Sequence, residues 1–271
     1  MIDISVIIPC FNSADFLPDA IRSAETAMKG FKAEIIIVDD GSTQKPMLDL
    51  LNKLEQTGKY SIVRRINGGP AAARNSGVKI SKGKYLLFLD SDNKLRPHFI
   101  STTLPLMKSD AKNGVVYGEA EFFGDNQERK PFKSGPLDKY ALLIDNYIDA
   151  CSLVKRSAWE EVGGFDEDPN IVGYEDWEFW IHLSNTAWEF KYIPEIIFDY
   201  RLRKDSVIAN SALVENYKRV TDYIYRKHIA VIMERFGQLY HESLFYKRDM
   251  DNPLRSFLKF SKRKYLSRQD K

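Results

Sequence analysis

Four apolar runs, each separated from the next by a helix-like segment, occupy the first ninety residues and leave few folds open. ISVIIP (4–9), EIIIVDD (34–40), YSIVRR (60–65) and YLLFLD (85–90) have the length and the β-branched or aromatic content of buried strands. Between the first two, Phe16, Leu17, Ala20, Ile21, Ala24, Ala27 and Met28 recur on one face at helical spacing. Asn12 or Ser13 is placed to cap that helix. KPMLDLLNKLEQ (45–56) and PAAARNSGVKIS (70–81) are the next helical segments, the latter with proline at its start. Parallel neighbours need crossover connections, and their helices cover both faces of the sheet. Strict alternation therefore predicts an α/β domain: a Rossmann-like, mostly parallel sheet flanked by helices.

Ligands on such sheets bind beyond the carboxyl ends of the strands. The first strand ends in Pro9-Cys10-Phe11-Asn12, the second in Asp39-Asp40-Gly41-Ser42 and the fourth in Asp90-Ser91-Asp92. Asp and Asn are good turn formers, which is the plain structural explanation for any one of these ends. Polar residues at three strand ends, with paired acids at two of them, point instead to one shared crevice.

The second half is less regular. GVVYGEAEFFG (114–124) reads as strand, CSLVKRSAWEEVGGF (151–165) as strand, short helix and glycine stop, and YEDWEFWIHLSNTA (174–187) as helix. FKYIPEIIFDYRLR (190–203) is strand-rich, residues 211–247 read as helical, and a last helical segment follows Pro253. No Gly/Ser linker, repeat or low-complexity tract interrupts the chain. The expected organisation is one catalytic domain over 1–210 and a helical C-terminal extension over 211–271.

Composition excludes several classes. The formal net charge of +2 over 271 residues carries no nucleic-acid signature. That balance is uneven, however: seven Lys/Arg and one Asp fall in 255–271, which leaves the rest at −4. RSFLKFSKRKYLSRQDK sets Phe257, Leu258, Tyr265 and Leu266 among those basic residues, a pattern suited to an anionic membrane surface and equally to a solvated tail or to packing on the domain. Cys10 and Cys151 have no metal or redox spacing, and reduced thiols are expected. No apolar run reaches the roughly 18 residues of a spanning helix. With no basic leader before the first strand, the expected location is cytoplasmic, peripheral at the inner face of the membrane if the tail binds there.

Three segments carry chemistry. Asp90 and Asp92 suit a hard divalent cation, which takes oxygen ligands from one or two carboxylates and from substrate phosphates. NGGPAAARNSG (67–77) puts Arg74 in the first turns of a helix, where it pairs with phosphate or carboxylate, or structurally with Asp39 or Asp90. GGFDEDPNIVGYEDWEFW (163–180) opens a helix on Glu175-Asp176, either a general base facing the crevice or an acid complementing the helix dipole. Phe179, Trp180 and Leu183 read as core. The scattered His98, His182, His228 and His241 show no metal spacing.

In that order VIIPCFN, EIIIVDDGST, NGGPAAARNSG, YLLFLDSDN and GGFDE…GYEDWEFW resemble family 2 glycosyltransferases of the GT-A fold, over residues 4 to about 203. The resemblance implies an inverting transferase that uses a nucleotide-diphosphate sugar and Mn²⁺ or Mg²⁺. It implies that Pro9, Asn12 and Asp39 contact the nucleoside with Arg74 nearby, and that Asp90, with Ser91, lies by the ribose and metal. Asp92 then binds the metal directly, and Asp176 is the base, with Glu175 the next candidate. A carboxylate at Asp39 suits the uracil ring N–H, hence a uridine diphosphate sugar. The implied acceptor is a glycan or lipid-linked hydroxyl in surface polysaccharide synthesis. One departure is Arg203 in DYRLRKDS, where many relatives carry a histidine. A third protein ligand to the metal is then unassigned, and Arg203 is placed by the diphosphate instead. The rival readings are a sugar nucleotidyltransferase and a catalytically inactive nucleotide-sugar-binding protein. The first expects a basic, glycine-rich loop after strand one, which PCFNSADFLPD is not; Asp90, Asp92 and Asp176 argue against the second.

Overall fold

The computed structural model describes residues 2–125, 133–203, 213–251 and 254. The basic segment 255–271 lies outside them, and of the helical segment read after Pro253 only Leu254 is described. The chain divides into two compact units, 1–224 and 225–271.

The first unit is built on a sheet in the order β3-β2-β1-β4-β7-β6-β8-β5. Its parallel half is β1 (Ile4–Cys10), β2 (Ala33–Asp39), β3 (Ser61–Arg64) and β4 (Tyr85–Phe88). These are the four apolar runs, and β1 is buried along its whole length as a strand covered on both faces must be. Three connecting helices, α1 (Leu17–Ala27), α2 (Lys45–Gln56) and α3 (Pro70–Ile80), alternate with them. The other half holds β5 (Lys94–Leu95), β6 (Asn113–Gly124), β7 (Leu153–Lys155) and β8 (Glu189–Leu202). There β7 runs antiparallel between β4 and β6, while β6 and β8 pair in parallel across bulges near Gly118 and Glu119. The remaining helices of this half are α4 (Phe99–Ser109), α5 (Lys139–Leu142), α6 (Arg156–Glu161) and α7 (Glu175–Ser184).

The residues that place the site are small or aromatic. Helix α3 packs on β1 and β2 through Ala72, Ala73, Gly77 and Val78, all buried. A Cβ at Gly77 would stand 2.5 Å from Ile7 Cγ2 and 3.1 Å from Val38 Cγ2. Gly77→Ala is therefore expected to destabilise the first unit by about 1–3 kcal/mol despite alanine's better helix propensity. Urea unfolding reads this directly, and an unchanged midpoint would show that the helix–sheet contact has slack. On α7, Phe179, Trp180 and Leu183 are fully buried, as the core reading expected, and Trp177 is fully buried beside them. The indole N–H groups of Trp177 and Trp180 donate to Leu142 O (2.6 Å) and Ile148 O (2.8 Å), which ties the 142–149 segment to α7.

One cap differs from expectation. Neither Asn12 nor Ser13 caps α1 with its side chain; the backbone carbonyl of Ser13 takes the N–H groups of Phe16 and Leu17 instead. Asn12 sits at φ 48°, and its Oδ1 accepts from the N–H groups of Thr43 and Gln44 at the start of α2. Asparagine tolerates that left-handed backbone better than most residues.

Cys10 and Cys151 are buried free thiols. Helix α8 (Leu213–Lys227) follows, and the second unit contains α9 (Ile229–Met250), so the helical reading of 211–247 is interrupted at His228. Among the described residues no helix is long and apolar enough to cross a membrane.

Candidate active site

A cleft of about 1010 Å³ opens at the carboxyl ends of β1, β2 and β4. Pro9, Cys10 and Phe11 line it from β1, and the Phe11 ring is 50% exposed. The paired acids that end β2 do two different jobs. Asp39 accepts from Ser42 N–H at 3.0 Å and braces its own turn. Asp40 reaches the next loop, accepting from Gly68 N–H (3.1 Å) and Gly69 N–H (2.8 Å) and pairing with Arg65. Gly69, at φ 89°, then admits Pro70 at the start of α3. Asp40 lines the cleft, whereas Asn12 and Asp39 do not; both are engaged with the 42–44 turn.

Asp90, Ser91, Asp92 and Asn93 follow β4 into the cleft. The strand β8 brings two arginines to them. Arg201 donates through Nε to Asp92 O (3.0 Å), its backbone N–H donates to Asn93 Oδ1 (2.9 Å), and its guanidinium lies between the rings of Phe16 and Phe123. Arg203 stands 3.6 Å from the Asp92 carboxylate. Burial and the neighbouring Asp90 push the Asp92 carboxyl above its usual range.

Arg74 resolves the alternatives left open by the sequence. One nitrogen donates to Asp90 Oδ1 at 2.7 Å and the other to Glu175 Oε1 at 2.5 Å, while Glu175 Oε2 accepts from Gly173 N–H at 2.7 Å. This buried bridge joins the end of β4 to the start of α7. It engages Glu175 and leaves the adjacent Asp176 without a cationic partner among the described residues.

Asp176 is half-buried on the cleft wall, with Oδ1 accepting from Trp177 N–H at 2.8 Å. Desolvation, then the nearby charges of Glu175 and Asp149, hold its carboxyl well above the ordinary range. Asp149 belongs to the same wall and was absent from the sequence reading. Its Oδ1 accepts from Cys151 N–H at 2.8 Å, and it too has no ion pair among the described residues. Burial, then the Asp90 charge, push Asp149 up to about 7. A lone Asp before a strand carries no spacing signal; only the packing of 142–149 against α7 brings it here. Tyr174 and Tyr217 line the same end, and Phe122 and Tyr200 another wall.

The cleft therefore sets Asp90, Asp92, Asp149, Glu175 and Asp176 against Arg74 and Arg203. An anionic diphosphate placed beside such an acidic wall needs further positive charge, and the strand-end carboxylates are hard oxygen donors of the kind Mg²⁺ and Mn²⁺ take alongside phosphate oxygens. Among the described residues no three His, Cys, Asp or Glu side chains are grouped to hold a metal unaided. The residues fit a cation shared with a substrate rather than one caged by protein.

The model for glycosyl transferase family 2 matches residues 5–163. An uncharacterized glycosyltransferase of Rickettsia conorii is 31% identical over 188 residues, covering 67% of this chain and 30% of that protein. The chain thus spans less than a third of the Rickettsia relative's length. The putative teichuronic acid biosynthesis glycosyltransferase TuaG of Bacillus subtilis is 28% identical over 210 residues, 76% of this chain and 82% of TuaG. Among solved structures, S. aureus TarS 1-349 superposes with a TM-score of 0.62 at 19% identity, over 82% of this chain and 64% of that one. At that identity the likeness concerns fold alone, and the fold is the GT-A arrangement.

Proposed function

The chain belongs to glycosyl transferase family 2, and we propose that it is a metal-dependent, inverting enzyme of bacterial surface polysaccharide synthesis, moving a sugar from a uridine diphosphate sugar to a glycan or lipid-linked hydroxyl. The observation that carries this reading is the division of the acidic cleft. Arg74 is ion-paired with Asp90 and Glu175, whereas Asp176 and Asp149 line the same cleft with no ion pair among the described residues. One side suits a metal–diphosphate and the other a proton-accepting carboxylate. Relatives support the substrate classes. The E. coli relative WfaP, 28% identical over 207 residues, is a UDP-Glc:alpha-D-GlcNAc-diphosphoundecaprenol beta-1,3-glucosyltransferase. TarS has a crystal structure in complex with UDP-GlcNAc.

In this mechanism the acceptor hydroxyl approaches the anomeric carbon from the Asp176 side. The new C–O bond forms as the bond to the diphosphate oxygen breaks, and the leaving group departs with the electron pair. The hydroxyl proton passes to Asp176, whose carboxylate is made more basic by desolvation and by the nearby charges of Glu175 and Asp149. Asp149 accepts a hydrogen bond from a second acceptor hydroxyl and holds the first in line. Phe11 offers its exposed ring to the base, and Pro9 and Ser91 wall the nucleotide. Asn12 and Asp39 enter this reading by fixing the 42–44 turn, and Asp39, at the end of β2, is the carboxylate assigned to the uracil N–H. Asp92 with Asp90 would hold Mn²⁺ or Mg²⁺, which supplies charge to stabilise the departing diphosphate. Arg203 lies where it adds to that charge. Positioning and electrostatic stabilisation provide most of the rate. Residues 1–210 are the catalytic part in this reading, and the basic segment 255–271 attracts an anionic membrane.

Calorimetry with UDP and GDP in Mn²⁺ tests the donor. UDP is expected to bind more tightly, and tighter GDP binding defeats the uridine assignment. Asp92→Ala should remove the Mn²⁺-dependent part of UDP binding while leaving the unfolding midpoint nearly unchanged, because the side chain is partly exposed at a strand end. Full Mn²⁺-dependent binding by that variant moves the metal elsewhere.

A further inference from the structure

Helix α9 carries an exposed apolar stripe. Ile229, Met233, Phe236, Tyr240 and Leu244 are each between 46% and 62% exposed. Steps of four, three, four and four residues hold them within an arc of about 80° along a helix some 33 Å long. The opposite side carries polar and acidic residues beside the exposed Phe245. Glu234, Gln238 and Glu242 follow one another there at steps of four, with the Gln238 amide 3.4 Å from Glu234 and Arg235 ion-paired to Glu242 at 3.7 Å. The next position on the apolar side is Lys247, which is exposed. Soluble surfaces rarely leave so continuous an apolar strip without a partner.

We propose that α9 is an interfacial helix that lies on an anionic lipid surface through its Ile229–Met233–Phe236–Tyr240–Leu244 stripe. The proposal deepens the lipid-linked-acceptor reading by naming the surface on which the enzyme works, and its test needs neither donor nor acceptor.

The charge pattern selects this occupant. Laid on its apolar side, the helix turns Glu234 and Glu242 to water and Lys247 to the headgroups. The chain then runs into 255–271, with seven Lys/Arg and one Asp, which an anionic leaflet attracts. A helix that is too polar to span and exposes a stripe of apolar side chains lies in the interface plane. A second copy of the helix fits less well. The spacing that would form a seam ends on Lys247, and parallel pairing would set lysine against lysine and align two basic segments.

The test is co-sedimentation of the full-length protein with phosphatidylglycerol and with phosphatidylcholine vesicles at low salt. Wild type is expected to bind the anionic vesicles preferentially. Phe236→Glu/Tyr240→Glu should bind at least about tenfold more weakly, because two aromatic rings leave the interface and two negative charges enter it. Both positions are exposed, so far-UV dichroism of the variant should match wild type. Met233→Gln/Phe236→Gln, which adds no charge, should lose affinity in the same direction. Lys262→Gln/Arg263→Gln/Lys264→Gln separates the tail from the helix. If the α9 variants bind like wild type while the tail variant releases, the inference about α9 falls and tail-mediated binding survives. If wild type binds neither vesicle, both fall, and the transferase assignment is untouched. A solution dimer that Phe236→Glu/Tyr240→Glu splits, with vesicle binding unchanged, would assign the stripe to a second copy and overturn the proposal.

Discussion

Asp176→Asn is expected to keep nucleotide binding and to lose transfer by roughly 10²–10⁴-fold, the range typical of a lost general base. The amide keeps the size of the carboxylate and can still accept from Trp177 N–H, so neither the start of α7 nor the Arg74 bridge should move. What disappears is the basicity of the carboxylate that takes the acceptor proton. The pH profile gives a second reading. Asp176 must be ionised to act, and burial with the charges of Glu175 and Asp149 raises its pKa. Turnover should therefore fall as pH drops through that raised value, with the acid limb well above the ordinary carboxylate range. Asp149→Asn removes one of the like charges responsible, so the limb should move to lower pH. A limb unmoved by that change would show that the two carboxylates do not sense each other. Normal turnover in Asp176→Asn would place the base elsewhere. Glu175 is then the poorer replacement, because both its oxygens are engaged by Arg74 and Gly173; Asp149, without a cationic partner among the described residues, is the better one.

Why Asp149 escaped the sequence reading, while Asp90, Asp92 and Asp176 did not, is a matter of range. Asp90 and Asp92 follow an apolar run that can only be a buried strand, and a parallel sheet sends every strand's carboxyl end to one edge. Local pattern plus topology therefore suffices for β1, β2 and β4. Asp176 is legible because a glycine-containing loop and a helix start frame it. Asp149 depends on two indole N–H groups of α7 gripping the carbonyls of Leu142 and Ile148, contacts more than thirty residues long in sequence. The strand at the start of 151–165 is legible, but its antiparallel direction is hidden for the same reason: β7 is three residues long, and its course is set by β4 and β6 rather than by its own composition. Asn12 shows the limit of local rules from the other side. It stands near a helix start, has the right chemistry for a cap, and caps the approach to a different helix thirty residues on.

Arg74→Met should be the most destabilising single change at the site, by about 3–5 kcal/mol. Arg74 and Glu175 are 4% and 5% exposed at their side chains, and the guanidinium also packs 5.4 Å from the centre of the Phe165 ring. Taking the arginine away leaves Glu175 buried with only Gly173 N–H to satisfy it. Asp90, a third exposed, can turn to water and suffers less. The penalty should therefore lie in the stranded Glu175 rather than in a lost attraction. Arg74→Met/Glu175→Met should recover most of the loss, since an apolar pair removes both charges together. Urea unfolding of the two single variants and the double variant measures this. Arg74→Lys separates charge from shape: a point charge keeps Glu175 company but lacks the two-nitrogen fork that reaches Asp90 at the same time. It should retain more stability than Arg74→Met and still lower turnover, because the end of β4 and the start of α7 would no longer be fixed to one another. If Arg74→Met unfolds at the wild-type midpoint, Glu175 is not held as an ion, and the bridge does not join the donor side of the cleft to its base.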